Sequence, residues 1–413
     1  MLYCVGAHTI QSYQIDLPTS KSIANRIFLL HALSGTTPTN GEATCDDILA
    51  MQQAINNPAY IIDIGDAGTV MRFLTAYYAS IQGAEHILTG SLRMQQRPIG
   101  ALVEALRSLG ANIDYTGKEG YPPLSIHGTQ LQGGAITIAG NTSSQYISAL
   151  LLVAPHMCNG LQLTITKPIV SRPYIAMTIE LMHLFGAKVT CNGNLIDVAP
   201  GQYTPTTIEI ESDWSAASYW YEIVAISHTA MTLTSLQMDS LQGDARVAQY
   251  FAQLGVKTDY NGKMLSLSSI PIATEKFIAH LADTPDIAPT LAMTCALQNI
   301  PFHLTGLDNL PLKECDRIAV LISEAQKLGF SFTSSQPGSI AWDGKRTSLA
   351  GKDVCIDPHG DHRMAMAFAP AALVMGHILI ENPQVVNKSY PHFWDNLCQA
   401  GFTIETKGKE ASL

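Results

Sequence analysis

Residues 101–128, ALVEALRSLGANIDYTGKEGYPPLSIHG, read as an amphipathic helix, a stop and a hairpin. Gly110 falls where the helix must end, and glycine adopts left-handed backbone without strain, so Leu-Gly predicts a helix C-cap. Beyond it, alternating residues on either side of Thr-Gly predict two strands joined by a turn. The same order returns in residues 178–200 (TIELMHLFGAKVTCNGNLIDVAP), 246–269 (RVAQYFAQLGVKTDYNGKMLSLSS) and 319–342 (AVLISEAQKLGFSFTSSQPGSIAW). A shorter copy, FWDNLCQAGFTIET, closes the series at 393–406. Gly186, Gly255, Gly329 and Gly401 occupy the position of Gly110. The spacing is roughly 70 residues, too long for an ordinary solenoid, so each copy predicts a compact helix-and-sheet unit of an α+β fold.

Between the copies lie segments rich in small polar residues that run straight into apolar helices: DIGDAGTVMRF, GNTSSQYISALLL, VSRPYIAMT, DTPDIAPTLAMT and PHGDHRMAMAF. SKSIANR at 20–26 is of the same kind, placing Lys21 and Arg26 with Ser20 and Ser22 where a helix should start. A helix N-terminus offers unpaired N–H groups and a positive dipole end, so cations there are unfavourable unless an anion sits among them. Several such N-termini predict a layer of helices aimed at anionic ligands.

The 413-residue chain is longer than one hydrophobic core usually organises, which predicts two domains. Its eight cysteines are scattered without a CxxC pair, which speaks against a disulfide framework or zinc site and fits a reducing cytoplasm. The N-terminus lacks the pattern of a signal peptide. The longest apolar tract, MAMAFAPAALVMGHILI, is interrupted by Pro370, Gly376 and His377 and predicts buried helix then strand rather than a membrane span. A formal net charge of −10 disfavours a nucleic-acid partner held by a broad basic face.

The individual motifs carry chemistry with different force. GDAGTVMR resembles a phosphate loop in its glycines but lacks the GK[ST] ending, so kinase-type nucleotide binding is unsupported. Gly65 and Gly68 serve turn geometry or, at Gly68, the close approach of a ligand. Ser143, Ser144 and Gln145 exceed what capping needs and suit phosphate oxygens. His359, Asp361 and His362 do not match a recognised zinc spacing; an Asp and His pair that orients Arg363 is the favoured reading. Lys313 and Arg317 stand one turn apart in the expected opening of a helix, with Glu314 between them. Asp286, ahead of another helix and near cations, is a carboxylate able to accept a proton from a hydroxyl.

Taken in order, SKSIANR, GDAGTVMR, QQRPIGALVEAL, NTSSQYISALL, VSRPYI, DTPDIAPT, NLPLKECDR, GDHRMAM and NKSYPHFW resemble the 5-enolpyruvylshikimate-3-phosphate synthase family over essentially the whole length. The resemblance implies two similar domains of three repeats each, an enolpyruvyl transferase-like inside-out α/β barrel. Residues 18–211 would form one domain, 1–17 with 212–413 the other, and substrates would bind in the cleft between them. It implies transfer of the enolpyruvyl group of phosphoenolpyruvate to the 5-hydroxyl of shikimate 3-phosphate, with release of phosphate, on the route to chorismate and aromatic amino acids.

Matching positions imply that Lys21, Ser22, Arg26, Ser143, Ser144, Gln145, Ser171, Tyr174, Asp286, Asn309 and Lys313 hold shikimate 3-phosphate. Lys21, Gly68, Arg97, Gln145, Arg317, Arg363 and Lys388 would hold phosphoenolpyruvate. Asp286 is the candidate base, and Glu314 and Lys21 the candidates for the remaining proton transfers. No metal or organic cofactor, nucleic acid or membrane partner is implied, and a cytoplasmic monomer is expected. Asp66 stands where the family has Asn, which predicts weaker phosphoenolpyruvate binding unless a cation such as Arg72 offsets it; Cys315 replaces a common Thr. A UDP-N-acetylglucosamine enolpyruvyl transferase is the nearest rival, but none of the eight cysteines lies in the Arg97 loop as that family requires. A non-catalytic anion-binding homologue would lack the Asp286, Lys313 and Glu314 set. Gly68 predicts sensitivity to glyphosate, with Phe73 and Asp66 as the modifying neighbours.

Overall fold

The computed structural model describes residues 1–7, 9–36, 45–262, 264–347 and 353–407. The chain divides into a continuous unit, Ser20–Ile210, and a split unit, Met1–Thr19 with Glu211–Leu413. The crossings that the family resemblance implies are near Pro18 and Ser212.

The five sheets share one topology, which one of them shows in a three-stranded version. In the continuous unit the strand Ile61–Asp63 runs parallel to Glu85–Thr89, which pairs antiparallel with Leu124–His127, itself paired with Asn112–Tyr115. Gly134–Ala139, Leu161–Thr166, Leu195–Val198 and Val189–Asn192 repeat that order and those directions. In the split unit the sheet of Gln14–Ile15, Met231–Thr234, Met264–Ser269 and Val256–Asn261 does so again. Phe277–His280, Phe302–Thr305 and Ile340–Trp342 make a three-stranded version, and an isolated bridge between Thr333 and Ala341 stands in for the fourth strand. In the last sheet the N-terminal strand Leu2–Ala7 lies between His377–Glu381 and Phe402–Lys407, so the first strand belongs to the C-terminal part of the chain. The first repeat of the continuous unit is represented among the described residues by the helices Lys21–Leu33 and Asp46–Asn56, without a sheet.

The glycine stops behave as the pattern predicts. Gly110, Gly186, Gly255, Gly329 and Gly401 all have positive φ. After the Gly100–Ser108 helix, Gly110 N–H bonds to Arg107 O and Ala111 N–H to Leu106 O, the paired closure that satisfies the last carbonyls of a helix.

Two kinds of helix follow from two kinds of sequence. The helices ahead of these glycines, such as Arg317–Lys327, bury one stripe and expose the other. Most helices that begin in the small polar segments are buried on every side and lie inside, whereas Arg172–Leu184, which follows VSRPYI and runs to Gly186, buries one face only. All ten residues of Ala288–Leu297 and all seven of His362–Phe368 are buried, as are twelve of the fourteen in Trp214–Ser227. These three pack together in the split unit, with Ser218 Oγ 3.1 Å from Thr290 Oγ1 between two of them. Lys21–Leu33, Gly68–Ser80 and Ser144–Val153 are their counterparts in the continuous unit. The sheets lie outside, and alternation such as buried Val256 beside exposed Lys257 gives each a core face and a water face. The apolar tract 364–380 becomes buried helix and then the strand His377–Glu381. Among the described residues no helix is long and apolar enough to cross a membrane.

Candidate active site

In the split unit two inner-helix starts, with Asp286 and Asp361, and the segment ahead of the Arg317–Lys327 helix, with Glu314, deliver three carboxylates to one cluster of cations. Asp286 lies in the 3-10 turn that opens the Ala288–Leu297 helix. Its Oδ1 accepts from Arg317 Nη1 at 2.8 Å and lies 3.3 Å from Lys313 Nζ, while Oδ2 is 3.1 Å from Arg363 Nη2. Glu314 is 2.9 Å from Arg317 Nη2 and 3.0 Å from Lys388 Nζ. Asp361 receives Arg317 Nε at 2.7 Å and Nη2 at 3.4 Å. Arg317 is thus forked across three carboxylates with a side chain only 1% exposed. Asn309 begins the 3-10 turn Leu310–Leu312 that leads to Lys313.

Burial opposes every charge here, and pairing decides the outcome. Burial pushes the Asp286 carboxyl up, but Arg363, Lys313 and Arg317 together hold it well below the usual range. Burial pulls Arg317 down, yet Asp361, Glu314 and Asp286 carry it above its ordinary value. Arg363 is held up against burial chiefly by Asp286. Asp244, buried and hydrogen-bonded by Ser215 rather than by a cation, is pushed up to about 7 by burial and then by Asp286.

Two sequence readings are corrected. Asp361 takes only the main-chain N–H of Arg363, at 2.9 Å, capping the helix; the side chain it orients is that of Arg317. The helix expected to carry Lys313, Glu314 and Arg317 together begins at Arg317, capped by Asp316, and Lys313 has extended backbone. Asp316 supplies the capping carboxylate three residues ahead of Ala319, which starts the helix late.

In the continuous unit the polar residues gather at inner-helix N-termini. Gln145 Nε2 donates to Thr69 Oγ1 at 3.0 Å, tying the Ser144–Val153 helix to the start of Gly68–Ser80. Ser143 Oγ accepts from Gln145 N–H at 3.3 Å, and Ser144 is buried beside it. A Cβ on Gly68 would fall 2.7 Å from Arg97 Nη1 and 2.9 Å from Nη2, so the missing side chain makes room for the Arg97 guanidinium. Arg72 donates to the carbonyls of Gly68 and Pro98, and Asp66 receives the hydroxyl of Ser91.

Lys21, the first residue of its helix, reaches Asp47 at 3.3 Å. Ser22 offers its carbonyl to Arg26 Nη1 at 2.7 Å. Arg26 also donates to Thr178 Oγ1, Ser148 Oγ and the Tyr174 carbonyl, so its guanidinium locks three helices together. Burial pulls it down to about 10, with Tyr174 acting the other way. Ser171 precedes the Arg172–Leu184 helix with φ +54°, a left-handed conformation that costs a serine roughly 1–3 kcal/mol, and its hydroxyl caps no helix N–H.

Sequence reasoning missed several partners. Asp47 sits 26 positions from Lys21 and nothing local links them. Asp213, Ser215 and Asp244 surround the start of the Trp214–Ser227 helix: Asp213 accepts from Ala216 N–H at 3.1 Å and Ser215 donates to Asp244. The segment SDWSAAS at 212–218 carries the same small polar signature as the other inner-helix starts, and would have pointed there.

The sequence matches the family of EPSP synthase (3-phosphoshikimate 1-carboxyvinyltransferase) over residues 48–397. It is 48% identical to the 3-phosphoshikimate 1-carboxyvinyltransferase of Bacteroides fragilis over 408 residues, covering 98% of this chain and 99% of that protein. The protein of that name from Methanospirillum hungatei is 33% identical, covering 93% of this chain and 95% of its own. The fold is that of a solved EPSP synthase from Acinetobacter baumannii, with a TM-score of 0.74 at 23% identity, covering 98% of this chain and 100% of the other. With that match over most of its length and 48% identity to a relative covered almost end to end, the chain belongs to the EPSP synthase (3-phosphoshikimate 1-carboxyvinyltransferase) family.

Proposed function

We propose that this chain transfers the enolpyruvyl group of phosphoenolpyruvate to the 5-hydroxyl of shikimate 3-phosphate and releases phosphate. The observation that carries the reading is the cluster in which Asp286 and Glu314 share Lys313, Arg317, Arg363 and Lys388. Two reactants bearing phosphates and carboxylates repel each other, and guanidinium forks with ammonium groups offset that repulsion. Arg317, Arg363 and Lys388, with Lys21, Gly68, Arg97 and Gln145, are assigned to the donor. Ser22, Arg26, Ser143, Ser144, Gln145, Ser171, Tyr174, Asn309 and Lys313, with Lys21 and Asp286, are assigned to the acceptor.

In the reaction the acceptor's 5-oxygen bonds to the central carbon of the enol as the methylene carbon gains a proton. Asp286 takes the hydroxyl proton. The tetrahedral adduct then loses a proton from the methyl carbon and breaks its bond to the phosphate oxygen, restoring the double bond. Glu314 and Lys21 serve these transfers at carbon and oxygen. The enzyme works in the cytoplasm as a monomer, and glyphosate competes with phosphoenolpyruvate.

A continuous assay of phosphate release tests the reading. Release is expected with phosphoenolpyruvate and shikimate 3-phosphate together, and none when UDP-N-acetylglucosamine is the acceptor. Phosphate released with neither acceptor, or only with the nucleotide sugar, overturns it.

A further inference from the structure

Every cation assigned to the donor in the split unit already has a carboxylate. Arg317 and Arg363 lie on Asp286, and Arg317 and Lys388 lie on Glu314. An incoming carboxylate or phosphate competes with Asp286 and Glu314 for these cations, since an anion aligned with a guanidinium edge makes two parallel N–H···O bonds where Asp286 makes one to each arginine. Resting on the transferase reading above, we infer that donor binding is a counter-ion exchange: the donor's anionic groups take Arg317 and Arg363 from Asp286, and this exchange raises the proton affinity of Asp286 and arms it as the base.

The surroundings of Asp286 fix the direction. It is faced by Arg363 from the His362–Phe368 helix, by Lys313, Glu314 and Arg317 from the segment after the Leu310 turn and the helix that follows, and by Asp244 from the Gly243–Arg246 turn; Asp361, Tyr219 and Asp213 lie beyond, against Arg317 and Arg363. Removing two of three direct cations leaves burial, Glu314 and Asp244 pushing the same way. Asp244 shows the result for a carboxyl in this cluster that touches a hydroxyl instead of a cation: its affinity for a proton is already raised. In the free protein Asp286 is therefore ionised but a feeble base. With the donor in place it is a strong one, so the hydroxyl is activated only when there is an enol to attack.

The test compares Asp286 without and with substrates in the full-length protein. Carbon-13 carboxyl resonances, with Asp286 assigned by its loss in Asp286→Asn or its displacement in Asp286→Glu, give the midpoint in the free enzyme. The acid limb of kcat at saturating phosphoenolpyruvate and shikimate 3-phosphate gives the midpoint in the complex. The limb is expected at least about one pH unit, a tenfold change in proton affinity, above the free-enzyme midpoint. An active enzyme whose two midpoints coincide, or whose limb lies lower, overturns the exchange and leaves the transferase reading standing. An enzyme with no turnover at any pH overturns both.

Discussion

The inner helices of the two units begin in opposite ways. In the split unit each N-terminus is occupied by a carboxylate: Asp213 and Asp361 cap their helices, and Asp286 stands in the turn ahead of the third. In the continuous unit Ser20 and Ala67 precede two of the corresponding helices without a side-chain cap bond and Ser143 caps the third; Asp66, one residue ahead of Ala67, receives the Ser91 hydroxyl. Ser20 Oγ is buried with no hydrogen-bond partner among the described residues. Helix N-termini filled by fixed anions attract cations, whereas those left with hydroxyls and N–H groups await an anion from outside. One repeated scaffold thus yields a site that stores charge in pairs and another that offers open donors, and the difference is a few side chains at equivalent positions.

Asp361→Asn attacks the filled side most directly. It leaves Arg317, nearly sealed from water, without its closest anion, which is expected to cost about 3 kcal/mol of stability in urea unfolding. Turnover should fall at least about a hundredfold as Arg317 loses its fixed orientation. Unchanged stability and rate would mean that Asp286 and Glu314 suffice to hold that arginine.

Gly68→Ala probes the open side. The added methyl would press on Arg97, so the Michaelis constant for phosphoenolpyruvate should rise on the order of tenfold while kcat falls less. A rise in the constant for shikimate 3-phosphate alone would reassign Arg97.

Glu222 sharpens the comparison by lying on an inner helix away from its N-terminus. Both carboxylate oxygens are buried without a hydrogen-bond partner among the described residues, and burial pushes the carboxyl well above its ordinary value. Because the folded value is raised, the folded state retains a proton that the unfolded chain releases. Stability associated with Glu222 is therefore complete below the unfolded value and is lost as pH rises towards the folded one. Glu222→Met should stabilise the protein by about 1–3 kcal/mol at pH 8 and by less at pH 5, read by urea unfolding at both. A gain independent of pH would show that the folded carboxyl holds no more proton than the unfolded one between pH 5 and pH 8.

The smallest effect is expected at Asp66, whose partner is the Ser91 hydroxyl. Asp66→Asn should keep turnover and leave the Michaelis constant for phosphoenolpyruvate the same or lower. A large loss of turnover would place this carboxylate in the machinery.

Legibility in the sequence followed the range of the forces involved. The glycine stops at 110, 186, 255, 329 and 401 were readable because left-handed closure is a property of one residue and its immediate neighbours. Inner-helix starts were readable for the same reason, as small polar residues ahead of apolar runs. The pairing of cations with their acceptors was not, because Lys21 with Asp47, Arg26 with Thr178 and Arg317 with Asp361 join residues 26, 152 and 44 positions apart. Asp361 illustrates the limit: its neighbours suggested His362 and Arg363 as partners, while packing gave its carboxylate to an arginine on another helix.

The repeat, its turns and the identity of the charged residues were determined by the sequence alone, since helix period, glycine conformation and side-chain chemistry act locally. Tertiary structure decided which helices went inside, that the first strand joins the last sheet, and which carboxylate holds which cation. Those outcomes depend on burial, where desolvation makes an unpaired charge so costly that each must find a partner, whatever its distance along the chain.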